Sequence, residues 1–416
     1  MKQVHKRLSD DQVRALLQAY CNGVIARTDL QAALGIGKTH FFALLGECRR
    51  DPSSFSIAYS RVSRCRLAPE VEAAIAHPLM PERELVDHAR LPISDYNYSA
   101  LRDRLLDTGN QVSLNTIIYR AKALGCYRPQ IKRKVHGRQI QTDAIGALIQ
   151  HDGSLYLWSP FADEKWPLIT SIDDYSRVLL FADFFPRETT WAHIRATRHL
   201  ITSCGIPLRY YVDSLRVFRF VQGRDSFWSK HVLETDEAEP QWRKMMALLG
   251  VGVAYALSPQ ANGKIERPYR WMQDRIVRTC ALEKLSTLDQ VRQVLHQEVN
   301  RYNNRQVHST TGEIPQVRLE KAADQGLTLF RPFTVPAPYT SPDDVFCLRE
   351  TRTVSTYRRV SPSNHVIPVP DVPAHEDVDI HMIPDEPTNS MAVRIWWNVK
   401  LVHTTTLLLN TFRVHL

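Results

Sequence analysis

The sequence predicts a multidomain chain: N-terminal all-α helix-turn-helix units, a central α/β core with a mixed five-stranded sheet, and a small C-terminal β domain. Three observations carry this. Short amphipathic helical patterns broken by glycine turns fill residues 1–127; period-two alternation takes over near Ile145 and then exchanges with helical spacing; and from about Phe330 short alternating runs sit in a Pro- and Val-rich background. The spans that follow are 1–50 and 82–127 for two helical DNA-binding units, 51–81 and 128–144 for linkers, 145–320 for the core and 330–416 for the β domain.

Composition bounds the partners. A chain of 416 residues with 44% hydrophobic and 23% charged residues has a soluble globular balance and room for several domains. The net charge of +9 suits a polyanion, nucleic acid first. Seven cysteines are scattered singly without C-x-x-C or zinc-ligand spacing, which predicts free thiols and no structural zinc. No leader-like or membrane-length apolar run is present, so no membrane partner and a cytoplasmic location are expected, nucleoid-associated in a bacterium.

In the first unit, Ser9 and Gln12 form a capping box ahead of a helix lined by Val13, Leu16, Leu17 and Tyr20. A second helix is expected over 28–34. Gly35 and Gly37 then turn the chain, and Thr39 is expected to cap a third helix carrying Phe41, Phe42, Leu44 and Leu45. After the Pro78 to Pro81 segment, helices are expected over 82–89, 98–107 and 113–124. Ser113 would cap the last of these, with Ile117, Ala121 and Leu124 inward. That leaves Asn115, Thr116, Tyr119, Arg120 and Lys122 facing bases and phosphates, as a recognition helix would. A small helical bundle is the plainer account of either unit alone; two in tandem favour DNA. Between units and core, Arg128, Lys132, Arg133, Lys134 and Arg138 crowd a short run that could track a phosphate backbone.

In the core, the segment through ALIQHDGSLYLWSP reads as a first strand, and WPLITSIDDYSRVLLFADFF as two strands around a DDYSR turn. A helix follows over 189–204, then a strand in LRYYVDS, a helix over 240–250, a strand in VGVAYALS, and further helices beyond the turn at Asn262-Gly263. In the helix after that turn, Ile265, Tyr269, Met272 and Ile276 share the buried face. Glu266, Arg270 and Gln273 share the other, with Lys264 and Arg267 in the first turn. On that helix alone, an ordinary i,i+4 Glu–Arg surface pair is the simpler reading.

Three acids change the reading. Asp152 lies in the first strand, Asp213 ends the fourth, and Glu266 opens the helix after the fifth, so only the fold could bring them together. Hard carboxylate oxygens without a Cys or His partner suit Mg²⁺, with Mn²⁺ as a substitute. Two such ions can clamp the attacking and leaving oxygens of a displacement at phosphorus. Asp173 and Asp174 are read as turn formers, and Asp143 as the weaker candidate for the first acid. His151 is read as a packed strand residue. No P-loop or Ser-His-Asp order is present.

Asp152, Asp213 and Glu266, the turn-helix NGKIERPYRW, the hairpin IDDYSR and the segment RYNNRQVHSTTGEIP together resemble the core of DDE-type integrase-like transposases. These have a ribonuclease H-like fold shared with retroviral integrases, and the order of the flanking units is similar to bacterial insertion-sequence and phage Mu-type members. The resemblance covers about residues 145–319. It implies a magnesium-dependent enzyme in which Asp152, Asp213 and Glu266 hold two ions. Such an enzyme binds element ends as double-stranded DNA, hydrolyses a phosphodiester there and joins the freed 3′-hydroxyl to target DNA. It implies a dimer or tetramer on paired ends, and it gives Lys264, Arg267 and Arg270 a phosphate to contact. The departures are a longer Asp213 to Glu266 spacing, with 217–240 as an apparent insertion, Ser214 after the second acid, and no His/Cys zinc module. Two alternatives remain: a DNA-binding regulator with a silent core, and a nuclease of the same fold that cuts without joining.

Overall fold

The computed structural model describes residues 4, 7–57, 67–89, 91–129, 142–213, 241–255 and 263–412, without the side chains of 263–267 and 364. The chain divides into two compact units, Met1–Glu72 and Ala73–Leu416.

The first unit holds helices α1 (Asp10–Cys21), α2 (Arg27–Leu34) and α3 (Lys38–Arg50). The expected capping box is present: Gln12 N donates to Ser9 Oγ at 3.3 Å and Ser9 N to Gln12 Oε1 at 2.9 Å. Gly35 takes the left-handed conformation at φ 62° that only glycine adopts cheaply, closing α2. Thr39 is not the cap of α3. Gly37 already has extended capping geometry, so the helix starts at Lys38 and Thr39 falls inside its first turn. Val13, Leu17, Leu34 and Phe41 are fully buried between the three helices, whereas Phe42 is exposed.

Helix α4 (Pro69–Asp87) runs through both prolines, where the sequence suggests a break before residue 82. Each proline removes a helical donor and costs about 3 kcal/mol in a helix interior. Ile75, Leu79, Glu82 and Val86 nevertheless recur on one buried stripe, and an apolar side chain buried there returns about 1.5–3 kcal/mol. Packing therefore overrides propensity. Helices α5 (Tyr98–Asp107) and α6 (Leu114–Ala123) follow; Asn97 caps α5 through Ala100 N and Ser113 caps α6 through Thr116 N. Ile117 and Ala121 are buried as expected, but Leu124, just past the end of α6, is exposed.

The central sheet has the order β3-β2-β1-β4-β5, built from β1 (Ile149–Tyr156), β2 (Trp166–Asp173), β3 (Leu179–Phe184), β4 (Arg209–Val212) and β5 (Gly252–Tyr255). β1, β2 and β3 pair antiparallel, while β1 with β4 and β4 with β5 pair parallel. The sheet is the mixed five-stranded one expected. One face is covered by α7 (Thr190–Cys204) and α8 (Gln241–Leu248) through Trp191, Ile194, Tyr210 and Trp242. The other is covered by α9 (Gly263–Glu283) and α10 (Leu288–Asn304) through Leu168, Ile172, Tyr269, Met272 and Ile276. Helix α11 (Pro315–Asp324) follows.

The C-terminal strands are β6 (Leu348–Thr353), β7 (Arg359–Val360), β8 (Ile367–Pro368), β9 (Asp377–Asp385), β10 (Ser390–Trp397) and β11 (Lys400–Leu408). Four of them form an antiparallel sheet in the order β11-β10-β9-β6, and β7 pairs with β8. No described helix is long and apolar enough to cross a membrane.

Candidate functional site

The register of the two central parallel strands, carried two residues past its last pair, points to a common level for two of the three candidate acids. Ile149 pairs with Tyr210 and Gln150 with Tyr211, an offset of 61 residues (211 − 150). The same offset carries Asp152 to Asp213, one step past the end of β4. Side chains level on parallel neighbours share a face, and side chains alternate along a strand. Ile149 and Tyr210 pack in the α7–α8 core. Asp152 has the opposite parity and so falls on the α9 face, and Asp213 is the residue that follows β4. Both are half-buried. The backbone N–H of Gly153 donates to Asp152 Oδ1 at 2.9 Å.

The third acid is placed by its helix. Tyr269 Oη donates to the backbone carbonyl of Asp152 at 2.5 Å and accepts from Thr170 Oγ1 at 2.9 Å. Thr170 is the direct partner of Asp152 across the β1–β2 ladder, so one phenol joins α9 to two strands at the candidate site. Burial, with the negative fields of Asp152 and Glu188, pushes the Tyr269 hydroxyl well above its usual range and keeps it a donor. Glu266 precedes Tyr269 by three residues, about one helical turn and roughly 5 Å along the axis. Its side chain lies outside those described, as do those of Lys264 and Arg267. Arg270 is exposed on α9, and Asp274, its possible partner, is bound instead by Arg278 at 2.9 Å and by Asn97.

Among the described residues no group of three His, Cys, Asp or Glu side chains gathers to hold a metal. Asp152 and Asp213 are hard oxygen donors, a donor chemistry that fits Mg²⁺ or Mn²⁺ better than zinc. The neighbouring histidine faces away. His151 is fully buried on the other side of β1, its Nδ1 2.8 Å from Ser171 Oγ and its Nε2 2.9 Å from His193 Nδ1. Burial first, then His193, holds its pKa well below the normal range, so it stays neutral.

Glu188 carries no signal in the sequence, yet it reaches the same neighbourhood. Its Oε1 lies 3.2 Å from His193 Nε2, and its carboxylate covers Gly153 so closely that a Cβ there would overlap it.

Asp173 and Asp174 are buried turn residues, as the sequence suggests. Asp173 accepts from Gly146 N at 2.9 Å and from Ser176 N and Oγ at 2.7 and 2.6 Å. Asp174 pairs with Arg177 at 3.0 Å.

On α6, Asn115, Tyr119 and Lys122 are exposed, and Thr116 and Arg120 are half-buried. Arg120 lies over the Tyr119 ring at 5.3 Å and Lys122 over Tyr127 at 4.5 Å, which leaves a cationic and aromatic surface. Arg128 is held by Asp87 and Ser94 O, both at 2.8 Å. Lys132, Arg133, Lys134 and Arg138 lie outside the described residues, as do 214–240 with the apparent insertion.

The strand order and polarity, with helices on both faces, define a ribonuclease H-like α/β core. In sequence the chain is similar to transposases. A Sinorhizobium fredii protein named "Putative transposase y4bF" is 26% identical over 226 residues, 54% of this chain and 44% of that one. The "Transposase for insertion sequence IS1202" of Streptococcus pneumoniae is 29% identical over 171 residues, 41% of this chain and 35% of that one. The chain thus spans less than half the length of either relative. No protein-family model matches. Solved structures with some likeness include the HTLV-2 integrase catalytic core domain in complex with magnesium, at TM-score 0.31 and 15% identity, covering 41% of this chain and 95% of that one. A simian T-cell lymphotropic virus intasome aligns at TM-score 0.35 and 13% identity, covering 73% and 95%. At these scores the fold rests on the chain's own strand order.

Proposed function

We propose that the chain is a DNA transposase whose core carries a carboxylate triad of Asp152, Asp213 and Glu266. The observation that carries the reading is the register: it points to a common level for Asp152 in β1 and Asp213 directly after the parallel β4, and Tyr269 fastens the helix bearing the third acid to β1.

Asp152 would offer oxygens from within β1, Asp213 from just past the end of β4, and Glu266 from the first turn of α9. Magnesium ions bound there, two in number, would activate the attacking oxygen and neutralise charge developing on the leaving oxygen. Manganese would substitute. The chain's own part is positional. The strands fix two donors, Tyr269 fixes the entry of α9, and neutral His151 packs behind the site. No side chain acts as nucleophile. In the first step water attacks phosphorus, the P–O bond to the 3′ oxygen breaks, and a 3′-hydroxyl is freed. In the second, that hydroxyl attacks a target phosphate and displaces its 3′ oxygen.

The partners of this reading are double-stranded element ends and target DNA, held by a dimer or tetramer on paired ends. Sequence similarity to transposases, the net charge of +9 and the cationic, aromatic face of α6 support it. Residues 132–134, Lys264, Arg267 and Arg270 are assigned phosphate contacts on the same grounds.

The test is incubation of the full chain with Mg²⁺ and a labelled DNA end taken from the flanks of its gene. Joined product is expected. Cut product alone would replace the transposase reading with a nuclease, and binding alone with a regulator. Asp152→Asn, Asp213→Asn and Glu266→Gln should each abolish cutting and joining while end binding persists. Retained strand transfer in any of the three removes that residue from the triad.

A further inference from the structure

Helix α9 carries a second constellation two to three turns beyond Glu266. Arg275 and Arg278, nine and twelve residues further on and about 14 and 18 Å along the axis, are almost wholly buried. Their partners lie on the helical unit that precedes the core. Arg275 reaches Asp103 of α5 at 2.7 Å and Glu298 of α10 at 3.3 Å. Arg278 binds Glu82 of α4 and donates to the carbonyl of Asp95 at 2.8 Å. At the rim, Asp107 at the end of α5 takes Arg301 at 2.6 Å and Arg305 at 3.0 Å, both from the end of α10.

Such an interface is an expensive way to gain stability. Buried ion pairs seldom beat a well-packed apolar contact of the same volume, because desolvation cancels most of the attraction. Among the described residues the Nε atoms of Arg275 and Arg278 find no hydrogen-bond partner, which adds to the cost. What charged pairs do supply is a single docking geometry, since sliding α5 along α9 would strand each buried charge. The geometry continues in both directions. Tyr98 at the start of α5 donates to the Cys126 carbonyl beyond α6 at 2.8 Å, and Tyr269 joins α9 to Asp152.

We infer that this ion-pair lattice registers the DNA end held by α6 against the carboxylates, so that it selects which phosphodiester is cut. Asp103, Asp107, Arg275 and Arg278 are positioning residues that act through α9. The inference rests on the transposase reading above and adds to it a ruler between recognition and chemistry.

The experiment uses the full chain, Mg²⁺ and a duplex carrying the element end, with cut positions mapped to the nucleotide. A second duplex has one base pair inserted between the inner recognition segment and the cut. Wild type should cut the first duplex at one phosphate and lose on the order of 100-fold on the second, as a misplaced reacting group does. Asp103→Asn should bind the end within about threefold of wild type, spread its cuts over neighbouring phosphates and largely lose the insertion penalty. Asp107→Asn, at the half-exposed rim, gives a gentler version should Asp103→Asn fold poorly, and Asp107→Glu should restore the single cut. Single-phosphate cutting with an undiminished insertion penalty in both Asn variants would overturn the ruler and leave the triad standing. Absence of any wild-type cutting would overturn the catalytic reading and the ruler with it.

Discussion

Tyr269→Phe isolates the tether between α9 and the central strand β1. The substitution removes one oxygen and leaves the ring among Leu168, Ile172 and Met272, so no cavity opens beyond the hydroxyl. Two hydrogen bonds go, the 2.5 Å bond to the Asp152 carbonyl and the 2.9 Å bond from Thr170. At about 1 kcal/mol net each, partly offset because the phenol is no longer desolvated, the loss of stability should be about 1–2 kcal/mol. The effect on chemistry should be larger. On the proposed triad, a start of α9 free to drift by about 1 Å would misplace the third carboxylate, and the single-turnover cutting rate should fall by roughly 100-fold. Urea unfolding gives the first quantity and end cleavage with saturating Mg²⁺ the second. Thr170→Val serves as the control. It removes a donor to the same hydroxyl but keeps the bond to Asp152, so it should lose about 1 kcal/mol and little rate. If Tyr269→Phe loses the expected stability and still cuts at the wild-type rate, the tether is structural only and the argument that it places Glu266 fails.

Three further outcomes follow from the geometry. Gly153→Ala should cost less than about 1 kcal/mol, because its methyl meets only the end of the flexible Glu188 side chain, which can swing aside at the loss of its contact with His193; a larger loss in urea unfolding would mean that the strand itself resists the methyl. Arg278→Ala leaves the buried Glu82 carboxylate with Arg104 as its remaining partner, so it should destabilise by about 2–3 kcal/mol, less than an unpaired buried charge would cost, and Arg104→Ala in the same background should add a further loss, as denaturation midpoints would register. In the C-terminal sheet, burial first and Arg349 next lower the His381 pKa from 6.5 to about 4. The unfolded imidazole therefore binds its proton near pH 6.5 and the folded one only near 4, so stability should fall as pH drops through that window and level off below it; His381→Gln should flatten that slope in unfolding curves.

Much of this was legible in the sequence where local chemistry decides. The helix over 98–107 is bounded by the Asn97 cap and the Gly109 turn, and α6 by Ser113. The period-two runs gave the strands, and helical spacing gave the buried face of α9. What periodicity misses is polar burial. It reads arginine as solvent-facing, so Arg275 and Arg278 look like surface residues until partners 172 and 196 positions away come into contact. Glu188 and His193 are hidden for the same reason. Pro78 and Pro81 mislead in the opposite direction, since the helix there is held by packing that no single position announces. Some exposed cations of the β domain also turn out to be engaged. Arg349 donates to the Asp344 carbonyl at 2.6 Å, Arg358 to that of Pro370 at 2.7 Å, and Arg352 pairs with Glu350, while Arg359 and Lys400 face solvent.

Four aspartates sit near the middle of the sheet, and their surroundings separate them by role. Asp173 and Asp174 are buried, and their oxygens are engaged by turn donors and by Arg177. Asp173 even has its pKa raised, chiefly by burial, against the pull of those donors. An acid so enclosed stabilises its turn and has no oxygen to offer a cation arriving from solvent. Asp152 and Asp213 keep contact with solvent, one within β1 and the other directly after β4, the strand paired parallel to it. The paired motif in the sequence, two adjacent carboxylates, is thus the weaker candidate. The stronger candidates are 61 positions apart in the chain (213 − 152), because parallel pairing of β1 with β4, which needs a long crossover, is what draws such distant segments together.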